Sequence, residues 1–91
     1  MKKKVNAANI YYKYFNIGVD DPVYDEYEWV VNDRFVMAHN IHHIKHGANK
    51  EEHINNYMAL SFNNHNKAHL EILKRDYLRD IHLQFMWMNP Y

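Results

Sequence analysis

The amino-acid sequence predicts a small α+β domain: an N-terminal helix, a β-hairpin, an irregular loop and one or two C-terminal helices. Three patterns carry that expectation. Ile10, Tyr14 and Ile17 recur at helical spacing near the N-terminus. Two runs rich in β-branched and aromatic residues, YEWVV (27–31) and RFVMAHNIHHI (34–44), flank the polar pair Asn32-Asp33. Leu70, Leu73, Tyr77, Ile81 and Phe85 recur every three or four residues, the period of one helical face.

Taken in order, VNAANIYYKYFNI (5–17) reads as a helix stopped by Gly18. DDPVYDEYE (20–28) carries five acids and the turn signal Asp21-Pro22. This acidic stretch is expected to face away from nucleic acid or to meet a partner. The two following runs read as strands joined at Asn32-Asp33, although Asn-Asp is a weaker hairpin signal than Asn-Gly. KHGANKEEH (45–53) is polar, contains Gly47 and reads as a loop. MALSF (58–62) reads as a short apolar bridge into a helix that begins at Asn63 or Asn64, since Asn is a good N-cap. The helical pattern then continues to about Trp87, with a break expected near Arg75. A single domain of residues 1–91 follows, with a core over about 27–75, an N-terminal helix over about 5–17 and a C-terminal helix over about 76–88.

Composition narrows the chemistry. A chain of 91 residues buries a modest core, and domains of this size often use a metal or a partner as a staple. There is no cysteine, so disulfides and thiolate zinc sites are excluded. Net charge is zero, so charge alone does not announce a nucleic-acid binder. No apolar run approaches a membrane span, and MKKKVNAAN lacks the apolar core of a signal peptide. A cytoplasmic protein is the default expectation.

The histidines stand out. There are eight, and all but His82 lie from His39 to His69. His65 and His69 are four apart, which puts them on one helical face about 6 Å from each other. His42 and His43 are adjacent on an expected strand, so they point to opposite faces. One can bind a metal while its neighbour reaches a different group. A metal nuclease needs that division, with a cation at the scissile phosphate and an imidazole to take the proton of the attacking water.

At these residues the chain resembles the HNH endonucleases, which have the ββα-metal fold. AHNIHHI (38–44) and NYMALSFNNHNKAH (56–69) fill the frame of a subgroup with motifs like AVDIHHI and NLMALCxxCHxKAH. The resemblance covers residues 29–82, including YLRDIHL (77–83) at its end, and covers the first 28 residues weakly. It implies a small phage- or bacterial-type endonuclease that hydrolyses DNA phosphodiesters to 5′-phosphate and 3′-hydroxyl ends. His42, His65 and His69 would hold one divalent ion: Mg²⁺, Mn²⁺, Zn²⁺ or Ni²⁺. His43 would be the general base. Asn56, favoured by the motif over Asn55, would orient His43 by fixing the loop. DNA is the implied partner, in a bacterial or phage-infected cytoplasm.

The chain departs from the family at the structural zinc. The four cysteine positions of many relatives are Val31, Arg34, Ser61 and Asn64 here. Val31, Phe35 and Phe62 are expected to replace the zinc with an apolar contact. Asn40 stands where an aspartate often precedes the histidine pair and is expected to support geometry. Among the cations, Lys45, Lys67 and Arg75 are the expected phosphate contacts, with Lys50, Lys74 and Arg79 as further candidates and Lys2, Lys3 and Lys4 as a source of non-specific attraction. His46, His53 and His82 are expected at the surface or half-buried. His39 shares strand parity with His43 and is a candidate for the same cleft. The apolar tail FMWMNPY (85–91) is expected in the core or in a homodimer or protein contact. Two rival readings remain. One is a non-cutting HNH-derived module that binds nucleic acid or a protein. The other is a structural metal module, closed by His39 or His46 as a fourth ligand.

Overall fold

The computed structural model describes residues 6–45, 47 and 51–91 of the chain. Lys2, Lys3, Lys4, His46 and Lys50 lie outside them. The described residues form a small α+β domain of four α-helices and a two-stranded antiparallel sheet. No helix among them is long and apolar enough to cross a membrane.

Helix α1 is Ala7–Phe15. The Asn6 side chain caps it by accepting the Asn9 N–H at 3.2 Å. Asn16 ends it in the left-handed region at φ 56°, a conformation that Asn tolerates. The stop therefore comes two residues before Gly18. The buried face is Tyr11 and Phe15, while Tyr14 points outward.

The segment expected as a first strand is a helix. Helix α2 is Glu26–Asn32. Asp25 caps it by accepting the Glu28 N–H at 2.7 Å, and Glu26 and Glu28 complement the positive end of its first turn. Asn32-Asp33 closes this helix instead of a hairpin: Asp33 is left-handed at φ 52°, and the Arg34 N–H returns to the Glu28 carbonyl. The β-favouring residues Trp29 and Val30 give way because packing decides strand preference, and both pack against the core from the helix. The chain then runs extended, making an isolated bridge from Met37 back to Tyr24.

The sheet pairs β1 (Asn40–His43) with β2 (Tyr57–Leu60), in the register His42 opposite Met58 and His43 opposite Tyr57. Expected as a bridge, MALSF is therefore mostly a strand. Every residue of β2 is buried, and its two faces serve different clusters, as the period of two requires. Tyr57 and Ala59 join Tyr11, Phe15, Ile17, Ile54 and Phe85. Met58 and Leu60 join Ile44, Leu73, Leu78 and Ile81.

Helix α3 is Phe62–His69, capped by the Ser61 hydroxyl rather than by Asn63 or Asn64. It ends as the Ile72 and Leu73 N–H groups fold back onto the Lys67 carbonyl. Helix α4 is Arg75–Met88, with Leu78, Ile81, His82 and Phe85 facing inward. Leu70, at the end of α3, and Tyr77, at the edge of the inward face of α4, fall outside the buried stripe. Asn89 then turns the chain at φ 45°. Tyr91 comes back against Phe15 and Phe85, and its hydroxyl accepts the Tyr24 N–H at 2.9 Å. The tail is thus divided between the core and the surface: Phe85 is fully buried and Trp87 is 88% exposed.

One buried carboxylate ties five elements together. Glu26 on α2 accepts the Tyr11 hydroxyl of α1 at 2.5 Å and the Ala59 N–H of β2 at 3.1 Å. It meets His82 Nδ1 of α4 at 2.6 Å. His82 Nε2 reaches the Ile54 carbonyl at 2.6 Å, in the 3-10 turn Ile54–Asn56. A carbonyl only accepts, so Nε2 carries a proton. A second proton is then shared between Nδ1 and the carboxylate. Burial pushes the Glu26 pKa up, against His82, Tyr11 and the Ala59 N–H. Burial pushes His82 down, but the Glu26 charge and hydrogen bond and the Ile54 bond outweigh it and hold the pKa above the usual range. The pair keeps its shared proton. His82, expected at or near the surface, is fully buried because this network satisfies both of its ring nitrogens.

Candidate functional site

Three histidines converge where β1 meets α3. His42 faces α3 from the strand, with its ring centroid 5.0 Å from that of His65 and 5.3 Å from that of His69. One turn separates the other two, and their Nε2 atoms stand 3.0 Å apart. One donor atom from each of the three lies within 4.8 Å of the others. Two nitrogens bound to one ion at about 2.05 Å stand roughly 2.9 Å apart at a right angle and roughly 3.4 Å apart at the tetrahedral angle. The His65–His69 separation already falls in that range, and His42 needs a modest approach. The donor set fits a divalent cation. Three imidazoles leave further coordination positions for water or substrate oxygens, and they favour borderline transition metals over Mg²⁺ unless phosphate supplies oxygens. His42 is buried and His69 exposed, so the cluster opens outward on the α3 side.

His43 points to the other face of β1, as its place beside His42 requires. Its ring stands edge-on to Tyr57 at 5.2 Å. Its Nε2 is shielded from solvent and lies 3.5 Å from Glu52 Oε1, which is an ion-pair distance but longer than a hydrogen bond. Glu52 Oε2 accepts the Tyr57 hydroxyl at 2.8 Å. Burial, with the Glu52 bond and charge, pushes the Tyr57 hydroxyl up to about 12.

The Asn56 side chain does not reach His43. Its Oδ1 accepts the Lys45 N–H at 2.7 Å, and its Nδ2 donates to the Lys45 carbonyl at 3.1 Å and the Glu51 carbonyl at 2.8 Å. It ties Lys45, two residues past His43, to Glu51, the residue before Glu52. Asn55, the other candidate in the motif, gives its backbone N–H to His53 Nδ1.

The expected cations are scattered. Arg75 lines a cleft of about 420 Å³ beside His69, with Ile44, Glu71, Lys74 and Asp76. Lys45 flanks the loop and meets Asn56 through its backbone. Lys67 lies two residues from both His65 and His69, on the other side of α3, and lines a second cleft with Glu28 and Arg34. His39 packs edge-on against Phe62 at 5.4 Å and lines a groove with Tyr12 and Val23. It is not one of the three histidines of the cluster. His53 caps the 3-10 turn.

At Val31, Arg34, Ser61 and Asn64 the contact is polar, which corrects the apolar expectation. Val31, Phe35 and Phe62 are all exposed. Asp25, fully buried, caps α2 with one oxygen and accepts the Ser61 N–H and the Asn64 amide with the other, at 2.6 and 2.9 Å. Asn64 also donates to Glu28 at 3.1 Å, and Arg34 stands 3.6 Å from Glu28. Burial pushes the Glu28 pKa up, but the Asn64 and Asn32 bonds and the Arg34 and Lys67 charges outweigh it and lower the pKa. One carboxylate pair thus joins the start of α2 to the start of α3. The acidic stretch, expected to face outward, turns Asp25 and Glu26 inward for this reason.

Sequence reasoning missed Asp25, Glu26, Glu52 and the buried role of His82. Asp25 had a signal, since it sits three residues before Glu28 and can begin a helix. Glu52 had none, because its contacts are to residues on two strands. Compared with known proteins, the chain matches no protein-family model, no curated protein and no solved structure.

Proposed function

We propose that this chain is a metal-dependent endonuclease of the HNH type that hydrolyses DNA phosphodiester bonds. The observation that carries the reading is the division of histidines across β1. His42 joins His65 and His69 on one face, and His43 stands on the other beside a carboxylate. The chain order of antiparallel β1 and β2 followed by α3 is the order expected of the ββα-metal fold, which supports the same reading.

In this mechanism His42, His65 and His69 hold the cation. When bound, it supplies charge neutralisation at the scissile phosphate and at the leaving 3′ oxygen. His43, next in the chain to His42, serves as general base. The water proton passes to the imidazole as the water oxygen bonds to phosphorus. The P–O3′ bond breaks, and the 3′ oxygen takes a proton from solvent. Asn56 holds the loop so that the strand end carrying His43 does not shift. Arg75 and Lys74, in the cleft beside His69, offer positive charge to the flanking backbone. Glu71 and Asp76 in the same cleft limit that attraction, so binding without the cation should be weak and strongly salt-dependent. Such a reaction places the chain where DNA is accessible, in a bacterial or phage-infected cytoplasm.

The test is plasmid cleavage with Mg²⁺, Mn²⁺, Ni²⁺ or EDTA, run beside His43→Ala. The expected result is metal-dependent cutting that His43→Ala abolishes while its metal affinity, measured by calorimetry, persists. Cutting by His43→Ala at the wild-type rate would overturn the assigned base. DNA binding without cutting, under every ion, would instead favour a non-cutting module.

A further inference from the structure

We propose that Glu52 is a positioning residue for His43: its carboxylate, anchored by the Tyr57 hydroxyl, takes the Nε2–H of His43 as its hydrogen-bond donor and leaves Nδ1 as the nitrogen that removes the proton from water. This rests on the proposed role of His43 as general base and adds the group that orients it. Three observations carry it. The register sets His43 opposite Tyr57, so both side chains stand on one face of the sheet. Tyr57 is fully buried, and its hydroxyl holds Glu52 Oε2 at 2.8 Å, which fixes the second oxygen, Oε1, toward His43 at 3.5 Å. His43 Nε2 is shielded from solvent and makes no hydrogen bond among the described residues. A shielded imidazole nitrogen without a partner is costly, and a carboxylate half an ångström beyond bonding distance is the group placed to satisfy it. Catalytic hydrogen bonds are often long in the free protein and tighten when substrate binds.

Asn56 fits the same arrangement. Its three side-chain bonds go to Lys45 and Glu51, so it has no bond left for the imidazole. By gripping the Glu51 carbonyl it fixes the residue next to Glu52, and by gripping both backbone groups of Lys45 it fixes the end of β1. It therefore acts on His43 by holding Glu52 and the strand together. A carboxylate on the far nitrogen also stabilises the imidazolium that forms when the water proton arrives.

The experiment uses the full chain with Glu52→Ala and Tyr57→Phe. Glu52 is partly exposed, so removing it should leave the fold intact. With Mn²⁺ and plasmid DNA, Glu52→Ala should lower kcat by about 10- to 100-fold, the usual effect of losing the partner that orients a working histidine, with KM and metal affinity unchanged. Tyr57→Phe should give a smaller loss of the same kind. Independently of cutting, ¹⁵N-labelled protein at mildly alkaline pH should show a single His43 tautomer with a slowly exchanging Nε2–H, and Glu52→Ala should show fast exchange and a mixed tautomer. Wild-type kcat and an unchanged Nε2–H signal in Glu52→Ala would overturn the proposal while leaving His43 as base. If the wild type fails to cut with every ion tried, the nuclease reading fails, and the Nε2–H signal still decides whether Glu52 holds the imidazole.

Discussion

Replacing Glu26 should destabilise the domain in a way that depends on what replaces it. The carboxylate is fully buried and serves the Tyr11 hydroxyl, the Ala59 N–H and His82 Nδ1. Glu26→Ala strands all three. At about 1–3 kcal/mol for each buried polar group left unpaired, the loss is at least about 3 kcal/mol, in line with the roughly 3–5 kcal/mol for breaking one side of a buried charge pair. A domain of this length holds about 5–14 kcal/mol in total, so about a fifth or more of the stability is at stake. At about 4–8 °C per kcal/mol for a domain of this size, Tm should fall by about 12 °C or more. Glu26→Gln behaves differently. Its carbonyl oxygen can accept from Tyr11 and Ala59, and its amide can donate to Nδ1 of a neutral His82 that keeps its Nε2 proton on the Ile54 carbonyl. Every partner stays satisfied, so the loss should be about 1 kcal/mol, the net worth of an ordinary hydrogen bond. Urea titrations of both variants followed by circular dichroism give the two values. Equal losses in Glu26→Ala and Glu26→Gln, or a loss under 1 kcal/mol in Glu26→Ala, would refute the claim that satisfaction of this network holds the five elements together.

Three further outcomes follow from the same geometry. The raised pKa of His82 means that its stabilisation is fully present below about pH 6.5, the ordinary histidine value, and is lost as pH rises through the folded pKa. Tm should therefore decline above that point in the wild type more steeply than in Glu26→Gln, and equal slopes would show that the pair does not hold the proton. His65→Ala and His69→Ala should each weaken Ni²⁺ or Zn²⁺ binding at least tenfold by calorimetry, whereas His39→Ala, whose ring packs on Phe62, should leave it unchanged. Asn56→Ala removes three hydrogen bonds from a buried side chain. It should cost about 2–4 kcal/mol and speed limited proteolysis at Lys45 and Glu51, a readout that a purely catalytic asparagine would not move.

Local pattern made part of the site legible. His65 and His69 share a face because a helix repeats every 3.6 residues, and His42 and His43 diverge because a strand repeats every two. Both rules act within a few residues, and both hold in the fold. Ile81 and Phe85 on α4 are legible for the same reason, whereas Tyr77 is exposed and Leu78 is buried in its place. Local pattern misled at YEWVV, where β-favouring residues sit in α2. There Asp25 begins a helix, and its other oxygen is occupied by Ser61 and Asn64, residues more than thirty positions away. Val31, Phe35 and Phe62 misled likewise. An apolar replacement was expected, but the burial of Asp25 made a polar one necessary.

The sequence by itself determined the N-terminal and C-terminal helices, the histidine spacing and the exclusion of thiolate and disulfide chemistry, because each depends on residue identity and short-range periodicity alone. Only the tertiary structure decided that His42 meets α3, that His82 is buried against Glu26, and that Glu52 stands across from His43. Those contacts join segments brought together by the pairing of β1 with β2 and the packing of α2 on α4. A histidine is a ligand, a base or a core residue according to which neighbours remove its water, and that is set by packing over the whole chain.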